Sequence, residues 1–360
     1  MSNELLINLS VLISQPTGIS VYANNILPQL QELNPTLLVP NKIPNFNCHL
    51  IPNNMTPAQG TKGHLRRLFW TQFKISNIYK KLQANLLFSP LPEAPLFSQC
   101  RYIIMAHDLI PLRFPRTGSR LTAYFKYYIP QVLSQAEHII CHSEATAKDI
   151  TDFFQIPSKK ITPIPLGYDS QRFQFLDLPT KNYFLYLGRH DHYKNLHRLI
   201  EAFANLPNSY EYELWFAGPT DNTYTPTLKT KIRELGLTNL VKFLDYVPTG
   251  ELPKIISQAI AMVFPSLWEG FGFPVLEAMA CGTPVITSNI SSLPEVAGDA
   301  AILVNPKNVG EITDAMNIIA QDGGERSRLM SLSLARAKEF SWEKTGLATR
   351  EIIQQFSVSG

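Results

Sequence analysis

Short apolar runs alternate with longer stretches of helical period from one end of the chain to the other. The pattern predicts a strand over Leu5–Ser14, a turn at Pro16–Gly18 and a helix from Ser20 to Leu33, with further strand cores at Ile103–Ala106 and Ile139–Cys141. The second half repeats this grammar more cleanly. Strands at Phe184–Gly188, Tyr212–Ala217, Val241–Phe243, Ala261–Phe264, Pro284–Thr287 and Ala301–Val304 alternate with helical patterns at Leu196–Leu206, Leu228–Leu235, Leu252–Gln258 and Pro274–Cys281. Short strands separated by such helices imply βαβ units, hence parallel sheets covered on both faces. The fold class expected is α/β, with two Rossmann-like doubly wound domains over 1–170 and 171–341. The segment Gly167–Lys181, rich in polar and turn residues and without a period, marks the boundary. A last helix, Trp342–Phe356, is expected to cross back to the first domain. Ligands of doubly wound sheets bind outside the carboxyl ends of the strands, and two facing sheets would leave a crevice there.

The composition narrows the class. In 360 residues, 45% are hydrophobic and 17% charged, which excludes a disordered chain. A formal charge of +3 argues against a dedicated nucleic-acid binder. Cys48, Cys100, Cys141 and Cys281 form no C-x-x-C pair, so neither a zinc site nor a disulfide framework is expected, and a reducing compartment is the simplest home. Leu5–Ile13 follows Glu4 without a preceding Lys or Arg and reads as a strand, not a secretory signal. No apolar run is long enough to span a bilayer. These features together predict a cytoplasmic protein.

The stretch richest in chemistry runs Trp268-Glu-Gly-Phe-Gly-Phe-Pro-Val-Leu-Glu-Ala-Met-Ala-Cys-Gly-Thr-Pro-Val. A strand ends at Phe264, a glycine-containing loop follows, and Pro274 sits where a helix starts. The amides of Phe271, Gly272 and Phe273, with the positive end of that helix, would suit a phosphate. Glu269 on the loop and Glu277, expected in the first helical turn, would repel a phosphate. They are better suited to accept hydrogen bonds from sugar hydroxyls, one set on a ribose and one on a transferred sugar. Taken alone, Glu277 would be an ordinary first-turn acid and Glu269 a solvated loop residue; the flanking glycines and the strand–loop–helix context favour the functional reading.

This stretch resembles the signature of retaining glycosyltransferase family 4, and the resemblance is strongest over about Ala136–Pro306. It implies a GT-B fold, a nucleotide-sugar donor, retention of anomeric configuration and no metal or other cofactor. By position, Glu277 would bind the donor ribose, while Glu269 and the amides after it would hold the sugar and its diphosphate. Leu187-Gly-Arg-His-Asp-His-Tyr-Lys agrees with that assignment. Arg189 and Lys194, on a strand-to-helix loop, would reach the diphosphate, one as a fork and one as a point charge, like the family's pyrophosphate-binding Arg and Lys. His190, Asp191 and His192 superficially suggest a metal site but read as solvated loop. His107, in Met105-Ala-His-Asp, ends a strand where family members carry a His near the reaction centre. Asp108 would orient the loop or the ring. Gly18 follows the first strand, where a missing Cβ would let backbone approach the donor. Gly218 and Tyr246–Val247, at strand ends, are candidates for the nucleobase pocket and equally for ordinary strand ends.

His107-Asp-Leu-Ile-Pro-Leu-Arg-Phe-Pro and His142-Ser-Glu-Ala-Thr look similar to bacterial mannosyltransferase-like members that build surface polysaccharides. GDP-mannose is therefore the first donor expected and a UDP-sugar the second. The acceptor would be a saccharide or a lipid-linked one. Competing readings are a GT-B nucleotide-sugar 2-epimerase and a non-catalytic nucleotide-sugar-binding protein; an NAD-dependent enzyme lacks its fingerprint here. Asp-x-Asp, the usual metal-holding pair of the other glycosyltransferase architecture, is absent from the chain. Finally, Lys62–Leu82 places Leu65, Leu68, Ile75, Ile78/Tyr79 and Leu82 at helical spacing among Lys62, Arg66, Arg67, Lys74, Lys80 and Lys81. Such a helix either packs into a core with a solvated basic face, the commoner outcome, or rests peripherally on an anionic membrane at the inner face of the cell.

Overall fold

The computed structural model describes residues 4–12, 18–245 and 247–357, with the backbone alone at residue 57. The chain divides into two compact units, one of residues 1–167 with 342–360 and one of residues 168–341. Both are α/β, with parallel strands in every pairing.

In the first unit the strands are β1 (Glu4–Asn8), β2 (Thr36–Val39), β3 (Asn47–Leu50), β4 (Ala84–Ser89), β5 (Tyr102–Ala106), β6 (His138–Cys141) and β7 (Ile161–Pro163). Their order in the sheet is β3-β2-β1-β4-β5-β6-β7. β5 and β6 are buried at every position, as strands covered on both faces require, and their apolar runs were visible in the sequence for that reason. β1 is shorter than the expected Leu5–Ser14. The Leu9 N–H makes the last ladder bond, to the Leu38 carbonyl at 3.0 Å, and the Ser10 N–H turns instead to Asn8 Oδ1 at 3.3 Å, while the Asn8 amide donates to Ser89 Oγ at 3.3 Å. Residues 13–17, including most of the expected turn, lie outside the described residues. Gly18 opens the helix Gly18–Leu30, not a turn, and a Cβ there would touch nothing within 4 Å.

The helix Trp342–Ser357 belongs to this first unit. Gly346 lies against Gln29, leaving no room for a Cβ, and Thr345 donates to the Pro165 carbonyl at 2.8 Å.

The segment 60–81 is helical throughout, as Gly60–Trp70, a π turn at Thr71–Ile75, and Ser76–Lys81. Its inward face differs from the expected stripe. Trp70, Ile75 and Tyr79 enter the core, with Ile78 and Leu82 packed against it, whereas Leu65 is exposed. The buried basic residue is Arg67, whose guanidinium makes a bidentate pair with Glu93 at 2.8 Å on both arms. An inward cation with a buried partner displaces Leu65 from the core-facing side, an arrangement that hydrophobic period alone does not register.

The second unit contains β8 (Tyr183–Leu187), β9 (Glu213–Ala217), β10 (Val241–Phe243), β11 (Ala261–Phe264), β12 (Val285–Ser288) and β13 (Ile302–Val304), ordered β10-β9-β8-β11-β12-β13. The strand order reverses at β8, which lies between β9 and β11. The loops after β8 and β11 therefore flank the switch point, where doubly wound sheets bind ligands.

Candidate functional site

The loops after β8 and β11 are held together before any ligand arrives. The Leu267 N–H donates to the Tyr193 carbonyl at 2.7 Å, and the buried Asn195 amide donates to the Pro265 and Pro306 carbonyls. Asn195 sits at φ +64°, a left-handed conformation that Asn tolerates, and there it ends the loop and starts the helix Leu196–Ala204. This bracing brings Lys194 Nζ to 2.6 Å from Glu269 Oε1, with both side chains about nine-tenths buried. The ammonium also lies 5.1 Å from the Tyr193 and Phe264 ring centres. An ammonium carries three donors, and Glu269 uses one.

The Glu269 backbone is equally fixed. Its N–H donates to Ser291 Oγ, and Ser292 Oγ donates to the carbonyls of Glu269 and Phe271 at 3.0 and 2.7 Å. Gly272, at φ +117°, caps the helix Phe273–Ala280, and a Cβ there would meet Leu293 Cδ2 at 2.8 Å. Only glycine suits that corner. Pro274 lies in the first turn, where its missing N–H is harmless. Glu277 is the fifth residue of this helix, past the first turn where the sequence placed it, because the helix starts at Phe273. Burial pushes its carboxyl up to about 8, with nearby Arg172 opposing the rise and Asp169 adding to it. Among the described residues no hydrogen bond reaches that carboxyl.

Arg189 departs from the expected pairing with Lys194. Its side chain is three-quarters exposed, with Nε 3.5 Å from Asp191 Oδ2, while Lys194 is buried against Glu269. His190 is not solvated loop. It is buried among Phe216, Phe243 and Tyr186, with Nδ1 3.0 Å from Thr225 Oγ1, because the chain turns inward after Gly188. His192 is exposed and stacks on Tyr224. Gly218 and Val247 fall on the loops after the neighbouring strands β9 and β10. The Gly218 N–H donates to the Asp245 carbonyl at 2.9 Å, and its α-carbon lies so near the Gly188 backbone that a Cβ would approach Gly188 O to 2.4 Å. Close backbone approach thus suffices to require glycine there. Tyr246 lies outside the described residues. Among the described residues no three His, Cys, Asp or Glu side chains gather as a metal site.

In the first unit, three neighbouring parallel strands end side by side, and the residues after them meet. Pro90 follows β4, His107 follows β5 and His142 follows β6. His107 Nε2 is 2.8 Å from the Pro90 carbonyl and Nδ1 is 2.7 Å from His142 Nε2. A carbonyl only accepts, so His107 carries its proton on Nε2 and accepts from His142 Nε2–H through Nδ1. Burial lowers the His107 imidazolium pKa to about 4, so the ring is neutral at pH 7. Tyr22 packs edge-on against both imidazoles, and its hydroxyl lies 3.4 Å from Thr349 Oγ1 on the C-terminal helix. Asp108 Oδ1 accepts from the Ile110 N–H at 3.0 Å and so shapes the loop.

His142 was missed as a partner, although Met105-Ala-His and Ile140-Cys-His share a strand-then-His pattern that would have flagged it. The Arg67–Glu93 pair, with Tyr124 OH donating to Glu93 at 3.2 Å, left no sequence signal beyond a lone acid after Pro92.

A family model described as glycosyl transferases group 1 matches residues 168–331, and one described as glycosyltransferase family 4 matches residues 16–172. The chain is 32% identical to O-antigen chain mannosyltransferase B of Escherichia coli over 260 residues, which cover 68% of this chain and 67% of that protein. It is 28% identical to O-antigen chain mannosyltransferase RfbU of Salmonella typhimurium over 337 residues, covering 87% of this chain and 93% of that one. Among solved structures, sucrose-phosphate synthase from Thermosynechococcus elongatus matches with a TM-score of 0.77 and 18% identity over 99% of both chains.

Proposed function

This chain belongs to glycosyltransferase family 4 and has the GT-B fold, and from that premise we propose that it moves a hexose, mannose first, from a nucleotide-sugar to an acceptor hydroxyl. The donor is GDP-mannose or a UDP-sugar. The acceptor is a saccharide or a lipid-linked saccharide of a surface polysaccharide, in keeping with the O-antigen mannosyltransferases to which the chain is similar. The observation that carries the reading is the buried Lys194–Glu269 pair at the switch point of the second unit, its Glu269 on the loop that leads into the helix carrying Glu277.

In this mechanism the Glu269 carboxylate accepts hydrogen bonds from the transferred sugar, and the spare Lys194 donors take diphosphate oxygens. Arg189 swings in from solvent as the second cation. The amides at Phe271, Gly272 and Phe273, with the helix dipole behind them, share the remaining charge. Glu277 accepts from the ribose hydroxyls, while Gly218 and Val247 lie beside the base. The acceptor oxygen bonds to C1 on the face from which the diphosphate leaves. The C1–O bond breaks, the electron pair goes to the diphosphate, and a phosphate oxygen takes the acceptor proton. Configuration is retained, and cations of the chain take the place of a metal. His107, neutral and fixed within the first unit, has both ring nitrogens engaged and so has none spare to carry a proton.

Thermal shift against a panel of GDP- and UDP-sugars tests the donor. A true donor at 100 times its Kd stabilises by about 2.7 kcal/mol. Transfer of radiolabelled hexose then separates transfer from mere binding. A panel in which no nucleotide-sugar shifts the melting temperature would overturn the reading.

A further inference from the structure

The outward face of the helical segment 60–81 is apolar at its centre and basic at its edges. Leu65, Phe69 and Phe73 are 57%, 64% and 55% exposed, and the two phenylalanine rings touch at 4.7 Å between centroids. Leu65 and Phe69 are four residues apart, and the π turn at Thr71–Ile75 keeps Phe73 in line with them. Lys62, Arg66 and Lys74 beside this stripe are all exposed, as are Lys80 and Lys81 further along. No acidic residue occurs between Gly60 and Pro92. The one inward cation, Arg67, is already neutralised by Glu93.

Packing demand does not explain the stripe, because this segment meets its core through other residues: Trp70, Ile75 and Tyr79. The neighbouring helix Arg120–Tyr127, joined through the ring contact of His64 and Tyr124 at 5.0 Å, repeats the composition with exposed Leu121 and Tyr127 beside Arg120 and Lys126. An apolar ridge framed only by cations matches a surface that is apolar inside and anionic outside. Among the described residues no helix is long and apolar enough to cross a membrane, so any contact is with the surface.

We propose that Leu65, Phe69 and Phe73 insert shallowly into an anionic lipid bilayer while Lys62, Arg66 and Lys74 meet its phosphates. This docking does not depend on the donor or the reaction. It does have a structural consequence for them. The same helix grips Glu93 through Arg67, and Glu93 lies on the loop whose Pro90 carbonyl accepts from His107. The docking surface and His107 are thus parts of one unit, which would bring a lipid-linked acceptor near the latter.

Flotation of the full chain with vesicles tests the proposal. The protein should float with vesicles containing about 30 mol % phosphatidylglycerol and not with phosphatidylcholine alone. Raising salt from about 0.1 M to about 1 M should release it, since the Debye length shrinks from about 10 Å to about 3 Å. The variant Leu65→Ser/Phe69→Ser/Phe73→Ser, exposed at every changed position, should keep its melting temperature and lose flotation at least about ten-fold. Replacing Lys62, Arg66 and Lys74 singly by Gln should lower partitioning about five-fold each. Equal flotation on neutral vesicles, or full flotation of the triple-Ser variant, would overturn the proposal. So would a dimer in solution that the same variant dissolves, because a second copy of the chain would then be the occupant.

Discussion

Both units bury titratable side chains at the carboxyl ends of their strands, yet they treat them in opposite ways. In the first unit several polar groups are closed on one another, although His142 Nδ1 is left without a hydrogen-bond partner. Both His107 nitrogens are engaged, Arg67 and Glu93 are bidentate, and Tyr22 reaches Thr349. In the second unit the groups have capacity left over: Lys194 gives one of its donors to Glu269, Arg189 lies in solvent, and no described partner bonds to the Glu277 carboxyl. A buried polar group without a partner is unfavourable in the free protein and is compensated only when a ligand supplies one. The contrast teaches that His107, Arg67 and Glu93 are spent on fixing a shape, whereas Lys194, Arg189 and Glu277 keep capacity that a ligand can use.

Substitutions should therefore affect stability in the first unit and ligand chemistry in the second. The largest effect is expected from Arg67→Met, which strands buried Glu93 and should destabilise by about 3–5 kcal/mol in urea unfolding. A loss below about 1 kcal/mol would show that the network is not closed as described. Next comes Glu269→Gln, which still accepts from Lys194. It should lower kcat for transfer by about 100- to 1,000-fold with little change in melting temperature; a parallel collapse of stability would erase the contrast.

Glu277 links the comparison to pH. With its carboxyl raised to about 8, donor affinity measured by calorimetry should tighten about ten-fold between pH 7 and pH 9 as the carboxylate forms. Glu277→Gln should flatten that profile, and an unchanged profile would remove the ribose role. The two units should also oppose each other in stability against pH. The His107 proton is disfavoured in the fold, so its contribution is complete above the unfolded pKa near 6.5 and is lost as pH falls towards 4. The Glu277 proton is favoured in the fold, so its contribution is complete below about 4.5 and is lost as pH rises through about 8. Each slope is at most about 1.4 kcal/mol per pH unit, and Glu277→Gln should abolish only the loss of stability with rising pH between about 4.5 and about 8. The smallest effect should come from Arg189→Gln. It should weaken donor binding by about three- to ten-fold and leave the melting temperature unchanged, because the side chain is already solvated.

Apolar runs buried on both faces announced β5, β6, β8, β11 and β12, and the glycine–proline loop before Phe273–Ala280 was legible because backbone geometry demands those residue types. β2, β3, β4 and β7 went unnamed. β3 has no fully buried position and β7 is a three-residue edge strand, so neither carries a distinctive period. Among site residues, Lys194 and Glu269 were each picked out, but their pairing across 75 positions was not. The same holds for His107 with His142 and Arg67 with Glu93.

By itself, then, the order of residues determined the α/β class and the local chemistry at each strand end, since burial and backbone conformation act over a few neighbours. Which of those ends lie side by side, which cation turns inward and which apolar stripe is left in solvent were decided only by tertiary structure. Those outcomes depend on strand order and on the search of each buried charge for a partner, and neither is a property of any local stretch of chain.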